Sequence, residues 1–157
     1  MRTKIGLLVL AGALAGLLAA SVATAAKPTR TTYKLTAALN RGQETTKPKG
    51  TNLGASGRFT ATLNATTGQL SWTLSWRKLS GPAVAAHIHN GKRGVAGAIV
   101  VPLCPTPSPC TSPTSGTATL TADQVRDILA GRYYANIHTA KNPGGEIRGQ
   151  ITKAPVP

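Results

Sequence analysis

From Lys27 onward, apolar side chains recur at every second position almost without a break, and this period constrains the fold most strongly. Successive side chains of an extended chain point to opposite faces, so such alternation describes strands with one buried and one wet face. The clearest run is GQLSWTLSWRKL. Leu70, Trp72, Leu74 and Trp76 face one way, and Ser71, Thr73, Ser75 and Arg77 face the other. Phe59, Ala61 and Leu63 alternate with Arg58, Thr60 and Thr62, and Tyr33, Leu35, Ala37 and Leu39 repeat the pattern. The intervening NATTG reads as a hairpin turn, which pairs two of these strands antiparallel. Further strands are expected over 84–90, 97–103, 117–120, 132–139 and 145–152, each bounded by Gly or Pro.

One segment has a different period. In TADQVRDILAG, Val125, Ile128 and Leu129 fall at helical spacing. Thr121 and Gln124 suit a capping box, and Gly131 stands where a left-handed terminator is wanted. The expected architecture is therefore all-β, an antiparallel β-sandwich of Greek-key type with one short helix near 122–130. Residues 41–56 and 104–116 read as loops.

Residues 1–25 follow another logic. Arg2 and Lys4 precede an uncharged run from Ile5 to Ala20, and Ala23 and Ala25 supply a small-x-small cleavage pattern. This is the layout of a secretory signal, with cleavage expected after Ala25 or Ala26. The apolar run is shorter than the roughly 20 residues that span a bilayer, so no transmembrane segment is expected after cleavage. A single arginine before the run, rather than two adjacent ones, points to the general secretory route. The expected organisation is a signal over 1–25, a linker over 26–32, one domain over 33–153 and a tail over 154–157. The destination is periplasmic or extracellular.

Export changes the reading of the cysteines. Cys104 and Cys110 enclose PTPSP, and in an oxidising compartment so close a pair is most simply a disulfide. Closing that loop is worth roughly 2 kcal/mol on a chain-entropy account. A pair of metal thiolates would want a second pair, or a histidine at finger-like spacing.

Lys and Arg total 18, against only four acids: Glu44, Asp123, Asp127 and Glu146. Arg2 and Lys4 leave with the signal, so the remaining domain carries a formal charge of +12. So few carboxylates disfavour a paired-carboxylate enzyme and an oxygen-ligand calcium site. The positive balance favours anionic partners, such as an envelope surface or polysaccharide, though scattered bases also serve solubility alone. The aromatic interleaving of a single-strand nucleic-acid platform is missing, so no dedicated nucleic-acid binding is expected.

All three histidines lie in expected strands. His87 and His89 in AHIHNG share a face, with Ala86 and Ile88 opposite. His138 shares a face with Tyr134 and Asn136, and Glu146, Arg148 and Gln150 share one in the next strand. Two readings stand. In the first, His87, His89 and His138 form a three-nitrogen site for zinc or copper, which requires donors within about 4 Å of one another. In the second, the histidines join Asn136, Glu146 and Arg148 in a hydrogen-bonded network that holds strand register, with Glu146 and Arg148 paired and no cofactor. No nearby aspartate is evident to orient the imidazoles. No Ser, Cys or Thr is marked as a nucleophile by its context, so no catalytic residue is assigned and an enzyme is not expected.

Three segments carry a family likeness. AHIHNGKRGVAGAIVVPL, TATLTADQVRDILAGRYYANIHTAKNPGGEIRGQI and LNRGQETTKP resemble the CHRD domain, named for chordin, from about Tyr33 to Thr152. In the family pattern the glutamate after G-x-Q is followed by valine-proline, where this chain has Thr45 and Thr46 after Glu44. The resemblance implies a sandwich of immunoglobulin-like or superoxide-dismutase-like kind, found outside the cytoplasm. It implies little about chemistry; the sandwich pattern, the basic charge and the lack of a catalytic set point instead to a non-enzymatic binding or structural module, whose partner is a protein or an anionic envelope surface. The HIH strand is also similar to the paired metal-binding histidines of copper/zinc superoxide dismutase. That enzyme needs a bridging histidine and an aspartate, and here both aspartates fall in the helix, so dismutase activity is not expected.

Overall fold

A computed structural model of the chain describes residues 31–104 and 110–155. The export signal read over 1–25, most of the linker and the tip of the cysteine loop lie outside the described residues.

Among the described residues, nine strands and one α-helix follow the sequence pattern closely, with a short 3-10 turn at Arg41–Gln43. They are β1 (Thr32–Asn40), β2 (Ser56–Asn64), β3 (Gln69–Arg77), β4 (Ala83–Asn90), β5 (Ile99–Pro102), β6 (Thr114–Thr119), α1 (Ala122–Leu129), β7 (Tyr133–Thr139), β8 (Asn142–Gln150) and β9 (Thr152–Lys153). The β2–β3 hairpin closes at Gly68, whose φ of 74° sits in the left-handed region and whose N–H donates to Asn64 O. β6 begins at Thr114, inside the segment read as loop, because it pairs with β3 from Leu74↔Thr114 to Gln69↔Thr119. Tertiary pairing there overrides the turn-rich composition of TSPTSG.

The strands form one hydrogen-bonded sheet in the order β5-β4-β7-β8-β1-β2-β3-β6, with β9 added against β1. Its two halves meet between β8 and β1, where the register is a single pair, Asn40↔Arg148. That narrow seam lets the halves fold over one core, so the molecule is sandwich-like although the sheet is continuous. Leu35, Leu39, Phe59, Leu63, Leu70 and Leu74 come from one half, and Ala86, Ile88, Ile137 and Ile147 from the other. All ten are buried in the same cluster, which α1 closes with Val125 and Ile128.

The helix is capped as its sequence predicts. Thr121 Oγ1 accepts from Gln124 N–H at 3.3 Å, and Gln124 Oε1 accepts from Thr121 N–H at 2.9 Å. Gly131 follows with φ of 69°. Thr121→Ala is expected to cost about 1 kcal/mol, read as a lower urea midpoint at unchanged slope. Cys104 and Cys110 are disulfide-bonded, with Cα atoms 5.5 Å apart. Cys110 N–H donates to Ala83 O, which ties the loop to the start of β4.

Candidate metal centre

β4 carries His87 and His89, and its antiparallel neighbour β7 carries His138. The pairs Ala85↔His138, His87↔Asn136 and His89↔Tyr134 bring all three imidazoles to one patch of sheet. The alternation that buries Ala86, Ile88 and Ile137 turns the histidines to the other face. One ligand nitrogen from each lies within 4.8 Å of the others. His87 Nδ1 and His138 Nε2 are hydrogen-bonded at 3.2 Å; His138 Nδ1 holds its hydrogen for Pro143 O, so His87 Nδ1–H is the donor, and that hydrogen must move to Nε2 before His87 Nδ1 can bind an ion. Tetrahedral ligands at bonds near 2 Å sit about 3.3 Å apart, so this pair already has the separation a shared ion requires. The outer limit of 4.8 Å exceeds the roughly 4 Å that a metal with such bonds can span, so uptake needs a small inward movement of the rings.

Two imidazoles are oriented by backbone rather than by an aspartate. His138 Nδ1 is 2.9 Å from Pro143 O, and His89 Nδ1 is 3.0 Å from Gly97 O. A carbonyl only accepts, so each Nδ1 carries the hydrogen and each Nε2 keeps its lone pair. That is the arrangement by which a second partner orients a metal-ligating imidazole. His89 Nε2 is buried and has no hydrogen-bond partner. Burial lowers the affinity of all three rings for a proton, and His87 is brought down to about 4 by burial and by the neighbouring His138 and His89. The rings are therefore neutral at neutral pH, the form that coordinates metals.

A stack supports this patch from one side. His89 lies against Tyr134 with ring centroids 4.9 Å apart and planes 5° from parallel, and the Arg148 guanidinium sits 3.4 Å from the Tyr134 centroid. Arg148 is 2% exposed and donates to Lys92 O. Asn136 Nδ2 donates to Glu44 Oε1 at 2.7 Å. Gly145, at φ 127°, makes room for this contact, since a Cβ there would lie 2.6 Å from Asn136 Nδ2 and 2.8 Å from Glu44 Oε2.

The expected pairing of Glu146 with Arg148 is not found. Glu146, 0% exposed, accepts instead from Ser80 N–H, Ser80 Oγ and Thr139 Oγ1, each at 2.6 Å, and from Asn142 Nδ2 at 3.2 Å. The β7–β8 register shifts between Ile137 and Thr139. Two residues of β7 there match five of β8, from Ile137↔Ile147 to Thr139↔Asn142, and an odd offset exchanges faces, so Glu146 meets Thr139 rather than the side chains that share a face with His138. Asn136 and Arg148 thus belong with Glu44, and Glu146 belongs to a separate cluster.

Glu44 entered the sequence reading as one of the four acids and in the family likeness, not as a member of the site; 92 residues separate it from Asn136. Burial raises its carboxyl from 4.5 to about 7, partly opposed by Arg148 and by the Asn136 hydrogen bond. The folded chain therefore holds a proton that the unfolded chain releases, and stability falls as pH rises from 4.5 towards 7. Glu44→Gln keeps an oxygen for Asn136 and cannot ionise. It is expected to exceed the wild type in unfolding free energy by roughly 1–2 kcal/mol at pH 8 and to match it near pH 4.5. Urea unfolding at the two pH values checks this, and an equal difference at both would refute it.

Comparison with curated proteins and with solved structures finds no match. The family model of the CHRD domain matches residues 35–151, a span that holds the core strands of both sheet halves, all three histidines, Glu44 and the disulfide. By that match, the chain belongs to the CHRD domain family.

Proposed function

We propose that this CHRD domain is an exported metal-binding module in which His87, His89 and His138 hold one zinc or copper ion. The observation that carries this reading is the buried, unpartnered Nε2 of His89, beside two other ring nitrogens within 4.8 Å. A buried ring nitrogen without a partner is costly, and an ion between the three rings would supply one. Here the hydrogens of His89 and His138 are committed to backbone carbonyls, which leaves lone pairs for a cation. Three neutral nitrogens and no thiolate suit zinc, with a solvent molecule as fourth ligand, or copper. The reading assigns binding and no turnover. Export is supported by the signal-like residues 1–25 and by the disulfide, which suits an oxidising compartment.

The test is metal content. Untagged protein is exposed in turn to zinc and to copper(II), dialysed, and assayed for bound metal. One equivalent is expected in the wild type and none in His138→Ala, with both chains showing the same far-UV circular dichroism. A wild type without metal removes the reading, and equal metal in the variant removes the three-histidine assignment.

A further inference from the structure

The opposite half of the molecule presents a second surface, independent of the histidines. Outward positions of β1, β2, β3 and β6 line up in rungs across the sheet. One rung is Thr36, Thr60, Thr73 and Ser115, and the next is Lys34, Thr62, Ser71 and Thr117. A third crosses Ala38, Arg58 and Ser75, and Arg77 extends the row beside Ser56. Neighbouring strands are about 4.8 Å apart and alternate residues about 6.7 Å, so the face is a lattice of hydroxyls at near-regular spacing.

Two shallow grooves run along it. The first, of about 490 Å³, is lined by Lys34, Arg58, Thr60, Ala154 and Pro155 among others. The second, of about 340 Å³, is bordered by Trp76 and Arg77 and shares Arg58 with the first. Together they form a track from Lys34 to Arg77, a shape that suits a linear polymer. None of the four acids lies on these strands, while Lys34, Arg58 and Arg77 are all exposed there.

We propose that this track binds a carboxylate-bearing polysaccharide. The hydroxyl rungs offer many neutral donors and acceptors to sugar hydroxyls, and the three cations, one per rung or row, match acidic groups spaced along a chain. A lipid surface fits less well, because the exposed large hydrophobics Leu53, Val84, Val95 and Ile99 all lie off these strands. Nucleic acid also fits less well, because the rungs carry no aromatic ring for bases to stack on.

The test compares binding of the exported chain to polygalacturonate, neutral dextran, duplex DNA and phosphatidylglycerol vesicles at moderate salt. Wild type is expected to prefer polygalacturonate. Lys34→Glu/Arg58→Glu/Arg77→Glu is expected to weaken that binding at least about tenfold, and the charge-matched Lys47→Glu/Lys49→Glu/Lys141→Glu by no more than about threefold. Thr60→Val/Thr73→Val leaves charge and strand propensity in place, and is expected to weaken polygalacturonate binding about threefold without changing binding to DNA. Equal losses in the two charge-reversed chains would overturn the site in favour of net charge. Equal or tighter binding to DNA or vesicles, or no effect of the threonine pair, would overturn the polysaccharide as occupant. Thermal unfolding of each variant confirms that it folds.

Discussion

Replacing Glu146 by alanine is expected to lower the unfolding free energy by about 3–5 kcal/mol, because it leaves buried donors without an acceptor. For a domain of this size that corresponds to a fall in Tm of about 10–20 °C. The carboxylate collects Ser80 from the β3–β4 connection, Thr139 from the end of β7 and Asn142 from the start of β8. Asn142 in turn accepts from Lys49 N–H at 2.7 Å and donates to Lys49 O, which binds the long loop before β2 to the same centre. Glu146→Gln keeps the shape but turns an amide N–H₂ towards groups that also donate, so a smaller loss is expected. The acid limb provides a second readout. Burial raises the Glu146 carboxyl, but hydrogen bonds from Ser80, Thr139 and Asn142 outweigh it and hold it below its ordinary 4.5. The carboxylate therefore contributes stability above pH 4.5, and that contribution is lost as pH falls through the lower native value. Wild type should lose more stability than Glu146→Gln on acidification below 4.5. A loss under about 1 kcal/mol for Glu146→Ala at pH 7 would mean that water replaces the carboxylate and that the cluster is not a structural centre.

The second large effect is expected from one methyl group. A Cβ at Gly97 would run into the carbonyl oxygen of Asn90 and lie 2.5 Å from its carbon. Both atoms are backbone and cannot turn aside, because Asn90 N–H donates to Ala98 O at 2.9 Å and pins the loop. That loop holds four partners of the polar face. Gly97 O orients His89, Gly97 N–H donates to Tyr134 Oη, Lys92 O accepts from Arg148, and Gly91 O accepts from Gln150. Gly97→Ala must open the loop and loosen all four. The expected loss is about 3 kcal/mol of stability, within the range for overpacking, and a 10–100-fold loss of zinc affinity as His89 loses its orienting carbonyl. Calorimetry and thermal unfolding measure the two together. If Tm falls by less than about 2 °C while zinc affinity is unchanged, the loop yields freely and does not hold the site.

Much of the fold was legible because period-two patterning reports directly on which face is buried. Phe59, Leu63, Leu70, Trp72 and Leu74 were assigned inward and are buried, and the capping box at Thr121 formed with the expected partner. That His87 and His89 share a face also followed from spacing, but that His138 joins them depends on the β4–β7 pairing, which no motif announces. What orients them did not follow from spacing either. Gly97 O and Pro143 O are backbone atoms, and no residue type marks a carbonyl that will meet an imidazole. Glu146 was misassigned because alternation presumes an unbroken ladder, and the shift between Ile137 and Thr139 breaks it.

The sequence alone thus determined the class of structure, the inward set of side chains, the helix with its caps and the pairing of Cys104 with Cys110. Each rests on contacts near in sequence, or on a periodicity that every strand repeats. Tertiary structure decided the strand order, the narrow seam at Asn40↔Arg148, and the meeting of Glu44 with Asn136 and Arg148. It also decided which nitrogen of His89 is left bare. These depend on partners tens of residues apart and on backbone carbonyls that belong to no motif. The alternation that first marked the chain as strands says which face each histidine takes; only the folded sheet brings the three rings together.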